Sequence, residues 1–195
     1  MTDQIVSTFQ QSLRGRLIGP SDADYDAARA LYNGMIDKRP RLIARCVDVA
    51  DVIAAVNFGR DQGLLVAIRG GGHSGPGLGS CNDGLVVDLS MMKSVRVDPA
   101  SRTVRVDAGC TSGDVDHATH AFGLAVPFGI VSTTGVAGLT VGEAPGTSHA
   151  STASRLITCS KRTLSWPTAV LSRPAKASTP ISSGRCAGEV ATLEW

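Results

Sequence analysis

A glycine-rich stretch between two apolar segments constrains the possible fold of this chain more than any other feature. The stretch reads RGGGHSGPGLG over residues 69–79 and lies between the apolar segments 64–68 and 85–89. We expect both segments to form buried strands, because short apolar runs bounded by turn residues are typical of them. Three consecutive glycines after a strand leave their backbone N–H groups uncovered by side chains, so such a loop can wrap phosphate oxygens.

Three better-known glycine motifs do not match this stretch. A Rossmann glycine loop leads into a helix, whereas here the strand-like segment 84–89 follows, and Pro76 also disfavours the start of a helix. The sequence contains no Gly-Lys-Ser/Thr, which excludes a Walker loop, and no GxSxG, which excludes a nucleophile elbow. Because many glycine-rich loops are only tight turns, the glycine pattern alone does not establish a phosphate-binding site, and further evidence must come from the rest of the sequence.

The first 142 residues are predicted to form an α/β unit around this loop. Asp48 is the expected N-cap of a helix that Gly63 ends, since an Asp side chain accepts hydrogen bonds from the first turn and glycine tolerates the left-handed conformation. The prediction comprises helices over 22–35, 48–63 and 112–122, strands over 41–47, 64–68, 85–89, 94–97 and 103–107 with a turn at 98–101, an extended piece over 124–127, and a Gly/Thr-rich loop over 129–142 that enters a helix.

Charge and composition exclude several classes of protein. A net charge of +2 gives no reason to expect a nucleic-acid partner, and no apolar run approaches the roughly 18 residues that a membrane-spanning helix needs. Residues 1–20 lack the apolar core of a signal peptide, so we expect a cytoplasmic location. The five cysteines are odd in number and form no CxxC pair, which favours free thiols in a reducing compartment and leaves one disulfide open.

His73 separates the possible functions of the glycine loop. A histidine in a loop is most often only hydrogen-bonded or solvated. One held among phosphate-binding glycines, however, can reach the ring end of a bound cofactor, and because imidazole is a nucleophile it can become a covalent anchor.

The segments around His73 resemble, in order and spacing, the FAD-linked oxidases of the berberine bridge enzyme-like group, within the PCMH-type (vanillyl-alcohol-oxidase) flavoprotein superfamily. The matching segments are AIRGGGHS at 67–74, GLVVDLS at 84–90, VDAG at 106–109 and GIVSTTGVAGLT at 129–140. The resemblance covers roughly residues 35–142. It implies an α+β fold, with residues 1–142 forming the N-terminal portion of a PCMH-type FAD-binding domain, and FAD as the cofactor.

Carried over to this chain, the resemblance implies two loops that hold the FAD pyrophosphate. His73 would be linked to the flavin 8α position. Val131 lies near the place where some members carry a second, cysteine link, so a single attachment is expected. The implied contacts in the first loop are Arg69, Gly70, Gly71, Gly72, His73, Ser74, Gly77 and Leu78, and those in the second are Gly129, Thr133, Thr134, Gly135, Val136 and Gly138.

The resemblance also implies the reaction, an oxidation of a small-molecule substrate by hydride transfer from a C–H bond to a covalently bound flavin, with oxygen as acceptor. In such enzymes the flavin carries the electron chemistry and the protein supplies position and electrostatics. The matching segments specify neither the substrate, the catalytic base nor the oligomeric state. Two alternatives stay open: a non-catalytic nucleotide- or anion-binding module, and a non-functional remnant.

Two further features are weaker candidates for chemistry. Cys110 precedes a predicted helix, where a thiol of low pKa can occur, but we expect a small packed residue instead. His117 and His120 are three apart on one predicted helix face, and without a completing carboxylate or cysteine cluster we expect no metal site.

Residues 143–195 differ in composition from the first 142. All fourteen Asp lie in residues 1–142, which contain no Glu, whereas all three Glu lie in residues 143–195, which also contain sixteen Ser or Thr and neither Phe nor Tyr. On composition alone, we expect a disordered tail.

A shifted reading frame explains this change more sharply. Residues 142–155 can be back-translated, with codons chosen freely, so that reading one nucleotide out of register gives GGTGYLTRKYGLT. Later stretches permit IDNLLEADVVLADG and EHPDLFWAVRGGGGNFGV, and all three strings resemble the continuation of the same family. We therefore expect residues 143–195 to result from a one-base deletion near Gly142 or from a sequencing error. The chain would then be a truncated and inactive fragment.

Overall fold

Three parallel strands bring the first glycine-rich stretch to one edge of a sheet. The computed structural model of the chain describes residues 2–126 and 128–141, with two short strands at 158–159 and 191–194. In the first sheet β1 (Arg16–Ile18), β2 (Leu42–Arg45), β3 (Val66–Arg69) and β4 (Leu85–Asp88) lie in the order β1-β2-β4-β3. β4 is parallel to β2 and β3, and β1 is antiparallel to β2. The glycine stretch therefore starts where β2, β3 and β4 all end.

Apolar contacts on both faces explain the central place of β4. All four of its residues are buried. Leu85 and Val87 pack into the core on one face, and Val86 packs with Ile43 and Tyr25 on the other. A strand of a parallel sheet is normally covered on both faces, as the continuous apolar run predicts.

Three helices lie beside this sheet: α1 (Asp3–Ser12), α2 (Tyr25–Arg29) and α3 (Val49–Asp61). Phe9 of α1 stacks on Phe58 of α3 with ring centroids 3.9 Å apart. The predicted cap of α3 is confirmed, because an Asp48 carboxylate oxygen accepts a hydrogen bond from the Asp51 N–H at 3.0 Å. Gly63 follows the end of α3 with φ of 62°. Neither α1 nor β1 was predicted from the sequence.

The predicted helix over residues 22–35 is wrong in its extent, because α2 ends at Arg29. Ala30 is extended, with φ −60° and ψ 142°. The Arg69 guanidinium donates to the carbonyl oxygens of Ala28 at 2.6 Å and Ala30 at 3.5 Å. A side chain from the sheet thus takes carbonyls that a further helical turn would have used.

A second sheet carries the remaining strands, in the order β5-β6-β8-β7. β5 (Val95–Asp98) and β6 (Thr103–Val106) form the predicted hairpin, and β6 also pairs with β8 (Ala191–Glu194), which pairs with β7 (Thr158–Cys159). α4 (Ser112–His120) and α5 (Val136–Val141) follow the hairpin along the chain. Apart from the helix over 22–35, the predicted strands and the helices over 48–63 and 112–122 are confirmed, with ends that shift by at most two residues.

The predicted disordered tail falls on residues 143–195, which lie outside the described residues except for β7 and β8. The longest described helix has 13 residues, and none of the helices in the described ranges is long and apolar enough to cross a bilayer.

Candidate cofactor-binding site

Two glycine loops meet backbone to backbone. The first glycine loop is residues 69–79, and the second glycine loop is residues 129–138. A Cβ atom added to Gly71 would lie 2.7 Å from the Gly135 Cα, and one added to Gly135 would lie 2.9 Å from the Gly71 Cα. These distances are well inside ordinary carbon–carbon contact, so only glycine at both positions permits the approach.

The second glycine loop is fixed by hydrogen bonds to the start of α4. The Ser112 N–H donates to the Thr134 carbonyl at 2.9 Å, and the Gly113 N–H donates to the Ser132 carbonyl at 2.8 Å. In return the Val136 N–H donates to the Cys110 carbonyl at 2.9 Å. This short antiparallel bridge directs two of the loop's carbonyl groups toward α4 and away from the first glycine loop.

The carbonyl groups of the first glycine loop are also taken, by a segment that follows α2. The Tyr32 N–H donates to the Gly72 carbonyl at 3.3 Å. The Asn33 side-chain amide donates to the Gly75 carbonyl at 3.0 Å. The Lys38 ammonium group donates to the Gly77 carbonyl at 2.7 Å and to the Ser80 carbonyl at 3.0 Å. Three carbonyl groups of the loop, those of Gly72, Gly75 and Gly77, are therefore bound by this segment.

Several N–H groups in each loop have no hydrogen-bond acceptor among the described residues. Within the described part of the chain, none of the N–H groups over residues 70–75 has an acceptor, and neither do those of Ser132, Thr133 and Gly135. Successive N–H groups without acceptors form a concave site for anionic oxygens. Two such runs side by side fit a phosphate or pyrophosphate group, which needs several donors and tolerates no intervening side chain.

His73 lies where the two loops face each other. Its Nε2 atom is hydrogen-bonded to the Thr133 hydroxyl of the second glycine loop at 2.9 Å. Its ring stacks on Tyr32, with centroids 3.9 Å apart and planes inclined by 18°. Among the described residues Nδ1 has no hydrogen-bond partner, which leaves one ring nitrogen free for chemistry.

Arg69 was predicted as a cofactor contact, and its guanidinium is hydrogen-bonded to residues of the sheet and of α2. It donates to the Asp88 carboxylate at 2.9 Å, and both side chains are buried. Arg45 approaches the same carboxylate at 3.6 Å, and the three residues are directly aligned across β2, β4 and β3. The guanidinium of Arg69 thus anchors the end of β3 and α2, while side-chain carbons of Arg69 lie beside Gly72 and Gly79 of the loop.

The other predicted contacts differ in their accessibility. The Leu78 side chain is 71% exposed, and its N–H donates to the Ser74 hydroxyl at 3.1 Å. Val136 is buried, and its N–H is already bound to Cys110. Gly138 lies in α5, and a Cβ there would meet no described atom within 4 Å. The two loops thus meet at Gly71 and Gly135 and at His73 and Thr133.

Three cysteines in the first 141 residues are packed in the interior. Cys46, Cys81 and Cys110 are buried free thiols. Burial raises the pKa of Cys110 to about 11 and that of Cys46 to about 12. The expectation that Cys110 is a small packed residue is therefore confirmed.

His117 and His120 lie on the exposed surface of α4. In the described ranges no group of three His, Cys, Asp or Glu side chains is arranged to hold a metal ion.

The contacts from Tyr32, Asn33 and Lys38 to the first glycine loop were not predicted from the sequence. All three lie in residues 30–38, which follow the true end of α2. A helix over 22–35 would have placed Tyr32 and Asn33 on a helical surface instead of against the first glycine loop. Asn33-Gly34 was the available signal, because an Asn-Gly dipeptide marks a turn.

Comparison with known proteins gives consistent matches. A family model described as FAD binding domain matches residues 40–158, more than half of the chain. An FAD-linked oxidoreductase of Dictyostelium discoideum is 39% identical over 144 residues, which cover 73% of this chain and 31% of that protein. (R)-6-hydroxynicotine oxidase of Paenarthrobacter nicotinovorans is 36% identical over 135 residues, which cover 69% of this chain and 30% of that protein.

A solved structure matches over the same part of the chain. BBE-like 1 of Physcomitrella patens aligns with a TM-score of 0.65 at 28% identity, covering 70% of this chain and 30% of that one. The chain thus spans about three tenths of the length of the curated relatives that it matches.

Proposed function

This chain belongs to the FAD binding domain family, as the resemblance around His73 predicted, and on that premise we propose that its two glycine loops hold FAD and that His73 is the covalent anchor. Its fold is the α+β fold of the N-terminal part of PCMH-type domains. The observation that carries the proposal is that, within the described ranges, two runs of N–H groups without acceptors meet beside His73, whose Nδ1 atom has no partner there.

The loops would bind the pyrophosphate through backbone N–H groups. Charge-assisted hydrogen bonds to phosphate oxygens are stronger than neutral ones, and rigid donors lose little entropy on binding. Arg69 and Val136 are proposed to set the backbone position of their loops. The proposed contacts to FAD are Gly70, Gly71, Gly72, His73, Ser74, Gly77 and Leu78 in the first glycine loop, and Gly129, Thr133, Thr134, Gly135 and Gly138 in the second.

His73 is proposed to form one bond, between a ring nitrogen and the 8α carbon of the flavin. The bond replaces one C–H bond of the 8α methyl group and the N–H bond of the imidazole. The hydrogens lost from these two bonds would leave as two protons and two electrons, which dioxygen would take up as hydrogen peroxide. Thr133 would hold the imidazole at its other nitrogen during this step.

Acid denaturation of the full chain, produced with an excess of FAD, tests this anchor. We expect the yellow colour and flavin fluorescence to stay with the precipitated protein. His73→Ala should release all flavin on denaturation but still bind FAD when native, and His120→Ala, which changes an exposed histidine, should behave like the parent. Complete release of flavin from the parent contradicts the covalent link.

The relatives are named FAD-linked oxidoreductases and oxidases, so the chain is an oxidoreductase by family. We propose that the whole protein oxidises a small molecule by hydride transfer to the flavin, with dioxygen as acceptor. FAD supplies the two-electron chemistry. To test the acceptor, the flavin-loaded chain is reduced chemically without air and then mixed with aerated buffer. Rapid return of the oxidised flavin spectrum is expected, and reduced flavin that persists in air refutes dioxygen as the acceptor.

We also propose that residues 143–195 are read out of frame. The change in Asp, Glu and aromatic content at Gly142 and the back-translated strings support this reading. Sequencing the gene across the codons for Val141 to Glu143 tests it. One additional base restores the GGTGYLTRKYGLT continuation, whereas codons that cannot encode this string in any shifted frame refute the proposal.

A cytoplasmic location is proposed from the thiols. Cys46, Cys81 and Cys110 are free and buried, as expected of a protein in a reducing compartment. Fractionation of cells should recover the protein with cytoplasmic markers, and recovery from the medium would contradict the proposal.

A further inference from the structure

We infer that Tyr32 is a positioning residue for His73, and that Tyr32, Asn33 and Lys38 of residues 30–38, the clamp segment, hold the first glycine loop in its binding orientation. The inference rests on the proposed role of His73. Tyr32 belongs to no segment of the sequence that resembles the flavin-attachment signature.

The clamp segment is held at its start by the sheet. Arg69, itself paired with buried Asp88, donates to the carbonyls of Ala28 and Ala30. The chain therefore leaves α2 in an extended conformation at a fixed point, two residues before Tyr32. The Arg69 guanidinium thus joins the end of β3, where the first glycine loop begins, to the start of the clamp segment.

Three residues of the clamp segment donate hydrogen bonds to carbonyl groups of the first glycine loop. Tyr32 and Asn33 donate to the Gly72 and Gly75 carbonyls at 3.3 and 3.0 Å. Lys38 donates to the Gly77 carbonyl at 2.7 Å. Three carbonyl groups of the loop are thus bound by the clamp segment, whereas among the described residues the N–H groups of residues 70–75 have no acceptor.

His73 is held in two directions. Stacking on Tyr32 at 3.9 Å limits tilting of the imidazole plane, and the hydrogen bond to Thr133 at 2.9 Å limits rotation within that plane. A nucleophile reacts efficiently only when held near its attack geometry. Tyr32 therefore acts on His73 and has no need to touch the flavin.

Because the Tyr32 side chain is exposed, its replacement should affect the position of His73 without affecting the stability of the fold. Its side chain is 67% exposed, so it contributes little to the core. Among the described residues its hydroxyl has no hydrogen-bond partner, so Phe can replace the ring without losing a contact. Met35, 88% exposed in the same segment, offers a matched control.

The test compares Tyr32→Ala, Tyr32→Phe and Met35→Ala in the full chain supplied with saturating FAD. The measurement is the rate at which acid-stable flavin forms. Tyr32→Ala should slow this rate about three- to tenfold, in line with the loss of one aromatic pair. Tyr32→Phe and Met35→Ala should keep the parent rate, and the urea midpoint of Tyr32→Ala should equal that of the parent. Attachment by Tyr32→Ala at the parent rate overturns the inference, as does an equal slowing by Tyr32→Phe.

A second readout needs no covalent flavin. In the ¹H–¹³C NMR spectrum the His73 ring protons, assigned with His73→Ala, should lie upfield in the parent because of the Tyr32 ring current, and should move downfield in Tyr32→Ala. If the parent forms no covalent flavin, the anchor proposed for His73 fails, and this shift alone decides whether Tyr32 positions the ring. Unchanged His73 resonances in Tyr32→Ala then refute the positioning role.

Discussion

Replacing Gly71 by Ala should separate the two glycine loops and weaken FAD binding while the fold persists. The added methyl group would lie 2.7 Å from the Gly135 Cα. Carbon atoms in contact prefer about 3.5–4.0 Å, so the loops must part by about 1 Å. Overpacking of this kind costs about 1–3 kcal/mol of folding free energy.

The effect on affinity follows from the geometry of the N–H donors. Hydrogen bonds from N–H to oxygen need donor–acceptor distances of about 2.7–3.2 Å. A displacement of about 1 Å therefore removes one donor from the phosphate, and a hydrogen bond to a charged group contributes about 1.5–3 kcal/mol. The FAD dissociation constant of Gly71→Ala should rise about tenfold to a hundredfold.

The assay uses the His73→Ala background, in which FAD binding is reversible, and follows flavin fluorescence during titration. Gly34→Ala is the control, because a Cβ at Gly34 meets no described atom within 4 Å. It should bind FAD like the parent. A Gly71→Ala dissociation constant within twofold of the parent value would refute the argument that the close approach of the loops builds the site.

Other perturbations give separate expectations. Asp88→Asn removes the carboxylate from a buried ion pair and should lower the free energy of unfolding in urea by about 3 kcal/mol, whereas Asp26→Asn, at an exposed pair, should change it little. The hydrogen bond from the Asp51 N–H lowers the pKa of Asp48, so ionised Asp48 should stabilise the fold above about pH 4, and this stabilisation should be lost as the pH falls below that value. In Asp48→Asn the urea midpoint of unfolding should therefore fall less steeply at acidic pH than in the parent. An unchanged fall contradicts the capping role of Asp48. The Cys46 and Cys110 thiols, with pKa values raised by burial to about 12 and about 11, should resist iodoacetamide at pH 8 in the native chain and react once it is unfolded, as peptide mass spectrometry would measure.

The sequence predicted well those parts of the fold that depend on local pattern. The apolar run around Val86 gave a strand buried on both faces, and Asp48 and Gly63 marked the two ends of α3. The first glycine loop was singled out because bare N–H groups suit a phosphate, and the second through the family resemblance, but the contact between Gly71 and Gly135 was not predicted.

What the sequence could not predict depends on contacts between distant segments. The spacing of Ala27, Ala30 and Leu31 favours a helix, but the Arg69 guanidinium ends it from a strand about forty positions away. The clamp segment therefore has no signature of its own, since its polar groups bind backbone carbonyls of any sequence. α1 was missed for a similar reason: its apolar face is short, and its packing depends on Phe58 of α3.

An NMR titration of the ¹⁵N-labelled 20.1 kDa chain with FAD tests the central claim most directly. If the two loops hold the cofactor through their backbone, the amide resonances of residues 70–75 and of Ser132, Thr133 and Gly135 should shift together and more than those of α1 and α3. Saturable shifts confined to other residues, or no shifts at millimolar FAD, would contradict the account.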